Sequence, residues 1–395
     1  MEKGRGGGHG DGDDGQQHHI VHVPTSASEV TAIEETPSEP ADYTTLHQKA
    51  SKIIASTIET YRSKPFSFWL LLFLSAGAML TAFPASSLLS RLYYNGGGNS
   101  KWILSWSAVA GWPLPAAILL PCYLIGKSPP TKLSPRLFAW YVLLGFLSAG
   151  DNLMYAWAYA YLPASTASLV AASSLAFSAM FGYFIVNNKM NLSSVNAVVV
   201  ITAGVAIIAL DSQSDRYAGI TDKQYTLGLI LDVLGSALHG LIFALSELVF
   251  VRISEGRQRR SSSSFHLVLE QQAMVSLMAF AFTSVGVAVN GDFAAMRQEA
   301  AAFKNGGEVG YVMVMVWSAV TFQLGVLGGT GVLFLASTVL AGVLNAVRVP
   351  VTSIAAVILF HDPMSGFKIL SLVITVWGFG SYMVGHSSTK KPSTN

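Results

Sequence analysis

Hydrophobic residues dominate the chain from residue 68 onward, in stretches of about 20 residues separated by short polar breaks. A helix of about 20 apolar residues crosses a bilayer and satisfies its own backbone hydrogen bonds there. The breaks contain turn-forming and helix-breaking sequences, as at 95–98, 129–130 and 361–363. We therefore predict an all-α polytopic membrane protein with ten transmembrane helices. The predicted spans are residues 68–91, 102–126, 137–161, 164–187, 194–211, 226–250, 265–289, 311–334, 337–360 and 367–386.

A faint internal similarity suggests that the ten spans form two inverted five-helix repeats. The sequence 164–166, Ala-Ser-Thr, opens the fourth span and recurs as 336–338 at the start of the ninth. An odd number of spans per repeat gives the two copies opposite orientations in the membrane. Chance similarity between apolar segments is the alternative explanation. We assign the first repeat to residues 66–211 and the second to residues 212–386.

The segment before the first span has a different composition. Residues 1–60 are rich in Gly, Ser, Thr, Pro and acidic residues, and they lack a long apolar run. Such a segment cannot bury a core, so we predict a disordered N-terminal tail, without a secretory signal. Residues 387–395 form a short C-terminal tail. The histidines 18, 19 and 22 are better explained as solvated polar residues than as metal ligands.

Composition and charge support this class and exclude others. Hydrophobic residues make up 51% of the 395 residues and charged residues 12%, whereas soluble domains have roughly 25% charged residues. The net charge of +2 gives no strong field for nucleic acid. The single cysteine, Cys122, excludes an internal disulfide. No catalytic or metal-ligand spacing occurs, so we expect no enzyme activity, no metal and no cofactor; the oligomeric state stays open.

Lysine and arginine positions predict the orientation, because they are enriched in cytosolic loops. With both termini in the cytosol, fourteen of these residues in the loops and near the span ends are cytosolic and seven lie on the other side. The seven are Arg91, Lys101, Arg216, Lys223, Arg297, Lys304 and Lys368. We predict cytosolic termini. The Asn191-Leu192-Ser193 sequon is then cytosolic and unglycosylated.

Polar residues within the third span mark a candidate site. An ionisable group inside a span costs roughly 2.5–3.5 kcal/mol, so it is typically paired or functional. Asp151, Tyr155 and Tyr159 recur every four residues and share one helical face, with Asn152 beside them. We interpret this face as a pocket for a flat polar ligand that stacks on an aromatic ring. A polar contact between helices is the alternative.

The second repeat contributes further candidates. Gln323 is the counterpart of Asp151 and offers a donor and an acceptor to a heterocycle edge, and Trp317 is predicted to wall the same cavity. A glutamine bonded to its own helix is the alternative. Arg348 lies mid-span with Asn345 on its face, and its charge needs a partner, for which Asp151 is the candidate. Elsewhere in the eighth span, Gly325 and Gly329 are spaced for close helix packing.

Proton coupling has several candidate groups. Asp232 and His239 share a face of the sixth span, with Ser236 between them. Glu247 and Glu270 lie near the cytosolic ends of the sixth and seventh spans. Simple solvation is the favoured interpretation for each of those two glutamates. Asp151 is the coupling acid if it does not pair with Arg348; otherwise Asp232 or His239 takes that role.

Several motifs occur together in a characteristic order. They include Asp151-Asn-Leu-Met-Tyr155-Ala, Tyr161-Leu-Pro-Ala-Ser-Thr166, Ser173-Ser174-Leu-Ala-Phe177 and Trp377-Gly-Phe-Gly-Ser-Tyr382. In these the chain resembles the plant purine permease family of the drug/metabolite transporter superfamily, over about residues 66–386. The resemblance implies a ten-span, proton-coupled plant importer of purine bases, cytokinins and related alkaloids.

The chain departs from that family at a few positions that concern substrate preference. The family often has glutamate where this chain has Asp151, glutamine where it has Ser174, asparagine where it has Ser178 and an apolar residue where it has Arg348. Two hydrogen-bonding side chains in span four are thus shorter here. The departures affect the expected preference for adenine or cytokinin more than the transport activity.

The combined prediction is a proton-coupled secondary carrier that imports purine bases or related nitrogen heterocycles by alternating access, most simply at the plasma membrane, with an endomembrane as the alternative. A sugar-nucleotide or phosphorylated-metabolite exchanger, with Arg348 as anion anchor, is the second interpretation. A non-transporting membrane scaffold is the third. The predicted substrate-binding residues are Asp151, Asn152, Tyr155, Tyr159, Ser174, Trp317, Gln323, Asn345 and Arg348.

Overall fold

A computed structural model describes residues 65–124, 133–187, 190, 192–210, 216–217, 219–254, 265–335 and 338–389. Within these ranges the regular structure is helical, and they contain no strand. The helical part belongs to one compact unit, Lys64–Asn395. The predicted N-terminal tail, residues 1–60, and the chain from residue 390 onward lie outside the described residues, as does Asn191 of the sequon.

Thirteen α-helices are present in the described ranges. They are α1 (Phe66–Asn95), α2 (Lys101–Val109), α3 (Pro113–Leu124), α4 (Pro135–Tyr161), α5 (Ala164–Ala171), α6 (Ser174–Phe181), α7 (Leu192–Leu210), α8 (Asp222–Ser254), α9 (Phe265–Val289), α10 (Asp292–Ala301), α11 (Gly307–Leu335), α12 (Thr338–Phe360) and α13 (Gly366–Thr389). A π-helical turn, Gly182–Val186, continues α6.

Each predicted hydrophobic stretch coincides with a helix or with two consecutive helices. The second is interrupted at Gly111, where a Cβ atom would lie 2.4 Å from the carbonyl oxygen of Ala319, so glycine lets the two backbones touch. The fourth is divided into α5 and α6. Eight helical segments in the described chain are long and apolar enough to cross a membrane, and Val347–Phe360 and Gly366–Tyr382 are shorter apolar helices.

Helix α10 is absent from the predicted elements. Its sequence, DFAAMRQEAA, is short and mixed in polarity, so it falls in what hydropathy identifies only as the loop between the seventh and eighth stretches. The side chain of Asp292 at its start is nevertheless buried. Helix α10 therefore packs on the bundle as an ordered cap.

Neighbouring helices set the positions of the polar residues. Helix α4 packs along α8 and α9, α1 packs along α11, and α12 packs against α1 and α5. Glycine permits the close approach of α1 and α11, because a Cβ atom at Gly328 would lie 2.6 Å from the backbone nitrogen of Met79. The predicted close contact of Gly325 is confirmed, at 2.7 Å from the Phe83 ring. A Cβ atom at Gly329 would have its nearest neighbour 3.9 Å away, which is an ordinary contact. Gly328, and not the predicted Gly329, therefore makes the close contact with α1.

Candidate functional site

Helices α4 and α8 bring six polar residues together, which we call the central cluster. Residues four or seven apart lie on one face of each helix, and the two faces meet because α4 and α8 pack side by side. The members are Asp151, Asn152 and Tyr155 of α4 and Asp232, Ser236 and His239 of α8. The sequence spacing predicts the polar face of each helix separately, and the packing of α4 against α8 brings the two faces together.

The first pair in the central cluster is Asp151 and His239. Oδ2 of Asp151 lies 2.8 Å from Nδ1 of His239. The Asp151 side chain is 6% exposed and the His239 side chain is 36% exposed, so the pair reaches from the interior to an accessible surface. The other carboxylate oxygen, Oδ1, is buried and has no hydrogen-bond partner among the described residues. That oxygen is therefore available to a proton or a ligand.

The second carboxylate, Asp232, is completely buried. Neither of its oxygens has a hydrogen-bond partner in the described part of the chain. An ionised carboxylate without a partner is strongly disfavoured in an apolar interior. Buried unpaired groups of this kind typically mark sites where a proton, water or ligand is bound.

Tyr155 is connected to α5 through Ser236. The Tyr155 hydroxyl lies 3.2 Å from Oγ of Ser236, and the Ser236 hydroxyl donates to the carbonyl oxygen of Val170 over 3.4 Å. The Tyr155 ring stands edge-on to the His239 ring, with centroids 6.2 Å apart. The side-chain amide of Asn152 donates to the carbonyl oxygen of Ser148 on its own helix. The cluster thus combines an aromatic ring with carboxyl and hydroxyl groups.

Arg348 does not pair with Asp151. Its guanidinium lies 4.6 Å from the centroid of the Phe83 ring, a cation–π contact. The packing explains the difference, because His239 is on α8 beside α4, whereas α12 packs against α1 and α5. The predicted Asp151–Arg348 ion pair is therefore replaced by Asp151–His239.

Gln323 and Trp317 lie on α11. The Gln323 amide donates to Oγ of Ser276 on α9 over 3.2 Å, and its oxygen is buried without a partner among the described residues. Gln323 therefore links α11 to α9. Trp317 is 53% exposed on the surface of the bundle. This position does not support the prediction that Trp317 walls a central cavity.

Three other predicted binding residues lie on α4, α6 and α12. Tyr159 is buried one turn beyond Tyr155, and its carbonyl oxygen accepts from the Arg91 guanidinium over 3.2 Å. Ser174 is half-buried at the start of α6, next to a buried serine. Asn345 is half-buried one turn before Arg348 on α12.

The two remaining coupling candidates lie outside the central cluster. Glu247 is exposed, and its charge acts on Tyr382 of α13. Glu270 of α9 acts on Tyr141 of α4.

A second buried polar group, which sequence analysis missed, comprises Arg91, Ser165, Tyr217, Asp362 and Lys368. We call it the loop-side cluster. One oxygen of Asp362 accepts from the backbone nitrogen of Ser165 at 3.0 Å and from its hydroxyl at 2.9 Å, and the other accepts from the Tyr217 hydroxyl. Lys368 donates to the Ser165 hydroxyl over 2.8 Å. The Arg91 guanidinium stacks 3.8 Å from the Tyr217 ring centroid.

Tyr217 remains a hydrogen-bond donor in this cluster. Burial raises the pKa of its phenol well above the usual value, against the opposing charge of Arg91, and the bond to Asp362 raises it further. The sequence signals for the cluster were the Ser165 motif, the break containing Asp362, and the placement of Arg91 and Lys368 on the non-cytosolic side. None of these signals indicates that the residues meet.

The same end of the bundle holds a cavity of about 600 Å³ beside α10. Its lining includes Lys101, Trp102, Trp157, Asp292, Gln298 and Glu299. Glu299 accepts four hydrogen bonds, from the hydroxyls of Tyr93 and Tyr311 and from the backbone nitrogens of Asn99 and Ser100. Glu299 therefore attaches α10 to α1 and α11. Among the described residues no group of three His, Cys, Asp or Glu could hold a metal ion.

Known proteins resemble the chain over nearly all of its helical part. A family described as purine nucleobase transmembrane transport matches residues 70–392. Probable purine permease 5 of Arabidopsis thaliana is 66% identical over 339 residues, which are 86% of this chain and 92% of that protein. Purine permease 3 from the same plant is 37% identical over 75% of this chain and 85% of its own length. Probable purine permease 11 is 33% identical over 85% of this chain and 87% of its own.

Proposed function

Because this chain belongs to the family of purine nucleobase transmembrane transporters, we propose that it is a proton-coupled carrier that imports purine bases or related nitrogen heterocycles by alternating access. The names of the relatives support the substrate class. The observation that carries the coupling is the half-buried Asp151–His239 pair beside Asp232, which has no hydrogen-bond partner among the described residues.

The finer architecture belongs to the same proposal. Ten spans form two inverted repeats, residues 66–211 and 212–386, with both tails in the cytosol and the plasma membrane as the site of action. The eight long apolar helices and two shorter ones supply enough helices for this count. An inverted arrangement places a substrate site between the repeats near the midplane.

The substrate site centres on Tyr155. Stacking of a base on an aromatic ring contributes about 1–3 kcal/mol in nucleic-acid binding proteins, and a purine edge needs nearby donors and acceptors. Asn152 and the free oxygen of Asp151 lie beside Tyr155 and can supply them. Tyr159, Ser174, Asn345 and Arg348 form the flanking wall. Gln323 and Trp317 are secondary members, because Gln323 is hydrogen-bonded to Ser276 and Trp317 is exposed.

The Asp151–His239 pair can couple a proton to substrate movement. Enclosing an ionised carboxylate together with the substrate carries a net charge into a low-dielectric interior, which is unfavourable. A proton bound with the substrate removes that charge. His239 is accessible enough to pass the proton inward, and Asp232 lies deeper on the same helix. Transport is thereby favoured when both proton and substrate are bound.

Arg348 gives less support to transport of phosphorylated compounds. A polyanion typically requires several cations with free hydrogen-bond donors. Arg348 instead stacks on Phe83, and the central cluster as described contains carboxylates in place of further lysines or arginines. The purine proposal therefore fits the site better.

Uptake by cells that lack endogenous purine transport tests the proposal. Radiolabelled adenine and a panel of purine derivatives are supplied at acidic and at neutral external pH, with and without a protonophore. We expect accumulation above the external concentration that acid stimulates and the protonophore abolishes. Uptake equal to the empty vector, despite surface expression, contradicts purine transport. If the internal substrate concentration only reaches the external one and the protonophore has no effect, proton coupling is contradicted but purine transport is not.

A further inference from the structure

The loop-side cluster joins segments from both halves of the chain. Arg91 and Ser165 come from residues 66–211, whereas Tyr217, Asp362 and Lys368 come from residues 212–386. The cluster lies near the end of α1 and the start of α5, beside the turn between α12 and α13. Contacts that cross between halves at one end of the bundle oppose separation of the halves there.

Because the loop-side cluster is buried, its hydrogen bonds are sensitive to separation of the two halves. Lys368 is 1% exposed, Asp362 is 3% exposed and Ser165 is fully buried. Asp362 accepts three hydrogen bonds, two from Ser165 and one from Tyr217. When charged groups are buried in a satisfied network, loss of one partner leaves the others desolvated and unpaired. If the halves separate, water replaces these bonds, so the closed and open arrangements can have similar free energies.

We propose that the loop-side cluster is a gate that closes the carrier at the end of the bundle opposite the chain termini, with Asp362 as its central acceptor. This inference rests on the proposed alternating access. Because the cluster is assembled in the structure, this end is closed here. Opening requires the bonds of Asp362 to Ser165 and Tyr217 to break together, while the central cluster lies deeper and keeps its own contacts.

Ser168 provides a reporter of the opening. It lies one turn beyond Ser165 on α5, it is buried, and its Oγ atom is 3.4 Å from Oγ of Ser353 on α12. Separation of α5 from α12 at this end exposes Ser168 soon after Ser165. The chain has one cysteine, so Cys122→Ser/Ser168→Cys gives a single reporter thiol.

The experiment measures how fast a membrane-impermeant thiol reagent, added from the side opposite the termini, labels that cysteine in the full-length protein in proteoliposomes. We expect slow labelling in the reporter background and about tenfold faster labelling with Asp362→Asn, which corresponds to roughly 1.4 kcal/mol less stability of the closed state. Tyr217→Phe keeps the ring beside Arg91 and removes one donor, so a smaller acceleration, about threefold, is expected. It also provides a readout if Asp362→Asn is not recovered as folded protein.

The control is Glu308→Gln, which changes an exposed carboxylate in the first turn of α11, at the same end of the bundle and outside the cluster. Its labelling rate should equal that of the reporter background. Unchanged rates in both cluster variants overturn the gate, and so does equal acceleration by the control. Failure to label in any variant, although the denatured protein shows a thiol, also overturns it. The assay needs no purine, so a gate can be confirmed even if the substrate proposal fails.

Discussion

At the residue scale, the partner of Asp151 determines which variants are tolerated. A permanently charged arginine partner would be left unpaired by removal of the carboxylate, whereas a histidine can become neutral. The structure places Asp151 beside His239 and places Arg348 over the Phe83 ring. The effects of substitutions at Asp151 and Arg348 should therefore be independent.

Asp151→Asn and Arg348→Gln should consequently destabilise the protein additively. The free-energy change of the double variant should equal the sum of the single changes within about 0.5 kcal/mol, because the two side chains share no direct contact. Thermal unfolding of the detergent-purified variants measures this. Recovery of stability in the double variant, relative to Asp151→Asn alone, would show that the ion pair forms after all.

The same Asp151→Asn variant should separate coupling from binding. The amide can still hydrogen-bond His239 but cannot take up a proton, so we expect acid-driven accumulation to fall about tenfold or more. Exchange of substrate across the membrane at equal pH should persist. Asp292→Asn serves as the control with an aspartate outside the central cluster. Normal acid stimulation in Asp151→Asn would remove this carboxylate from the coupling pathway.

Tyr155 should contribute through its ring more than through its hydroxyl. Loss of a stacking contact worth about 1–3 kcal/mol weakens binding roughly one to two orders of magnitude, so Tyr155→Ala should raise the apparent Kd by that factor. Tyr155→Phe loses only the bond to Ser236 and should be milder. Competition uptake measures both. An unchanged affinity in the alanine variant would exclude Tyr155 from the site.

At the element scale, helix contacts depend on individual small residues. Gly328→Ala places a Cβ atom 2.6 Å from the backbone nitrogen of Met79, which cannot move away as a side chain could. We expect a cost of about 1–3 kcal/mol and a lower Tm in a detergent thermal-shift assay. Gly329→Ala is the adjacent control, since its nearest contact is at 3.9 Å and alanine favours helix. Equal Tm values for the two variants would contradict the described α1–α11 interface.

Hydropathy predicted the helices well and their partners poorly. A span must be apolar along its whole length, so the ten stretches and their approximate limits follow from sequence. Helix α10 has no such requirement, because it lies at the end of the bundle. Sequence also identified Asp151, Asp232 and His239 by their cost inside a span. It did not reveal which helix lies beside α4, because that depends on packing, and so the histidine partner was missed.

The loop-side cluster was missed for a related reason. Ser165 and Asp362 are 197 residues apart, and each is unremarkable in its own segment as a serine near a helix start and an aspartate in a turn. Their interaction exists only after the bundle has formed. The sequence alone therefore gives little information about which polar residues in the breaks between spans contact each other.

At the scale of the whole molecule, orientation and the tail give a further prediction. Both termini should be cytosolic, and deletion of residues 1–60 should leave uptake within about twofold of the full chain, because that segment cannot bury a core. Antibody labelling of a C-terminal tag before and after permeabilisation tests the first statement, with a tag between Gln213 and Ser214 as the opposite-side control. Surface-normalised uptake tests the second. Labelling of the C-terminal tag in intact cells would reverse the orientation.

The four hydrogen bonds to Glu299 also bear on how the protein is made. Glu299 follows Asn99 by 200 residues, so the backbone nitrogens of Asn99 and Ser100 leave the ribosome long before their acceptor does. At about 5–20 residues per second, that interval lasts roughly 10–40 seconds. During this time the loop between α1 and α2 must rely on water for its hydrogen bonds. Docking of α10 is thus a late event of biogenesis. If the ribosome stalls before Glu299, the loop between α1 and α2 remains without these hydrogen bonds.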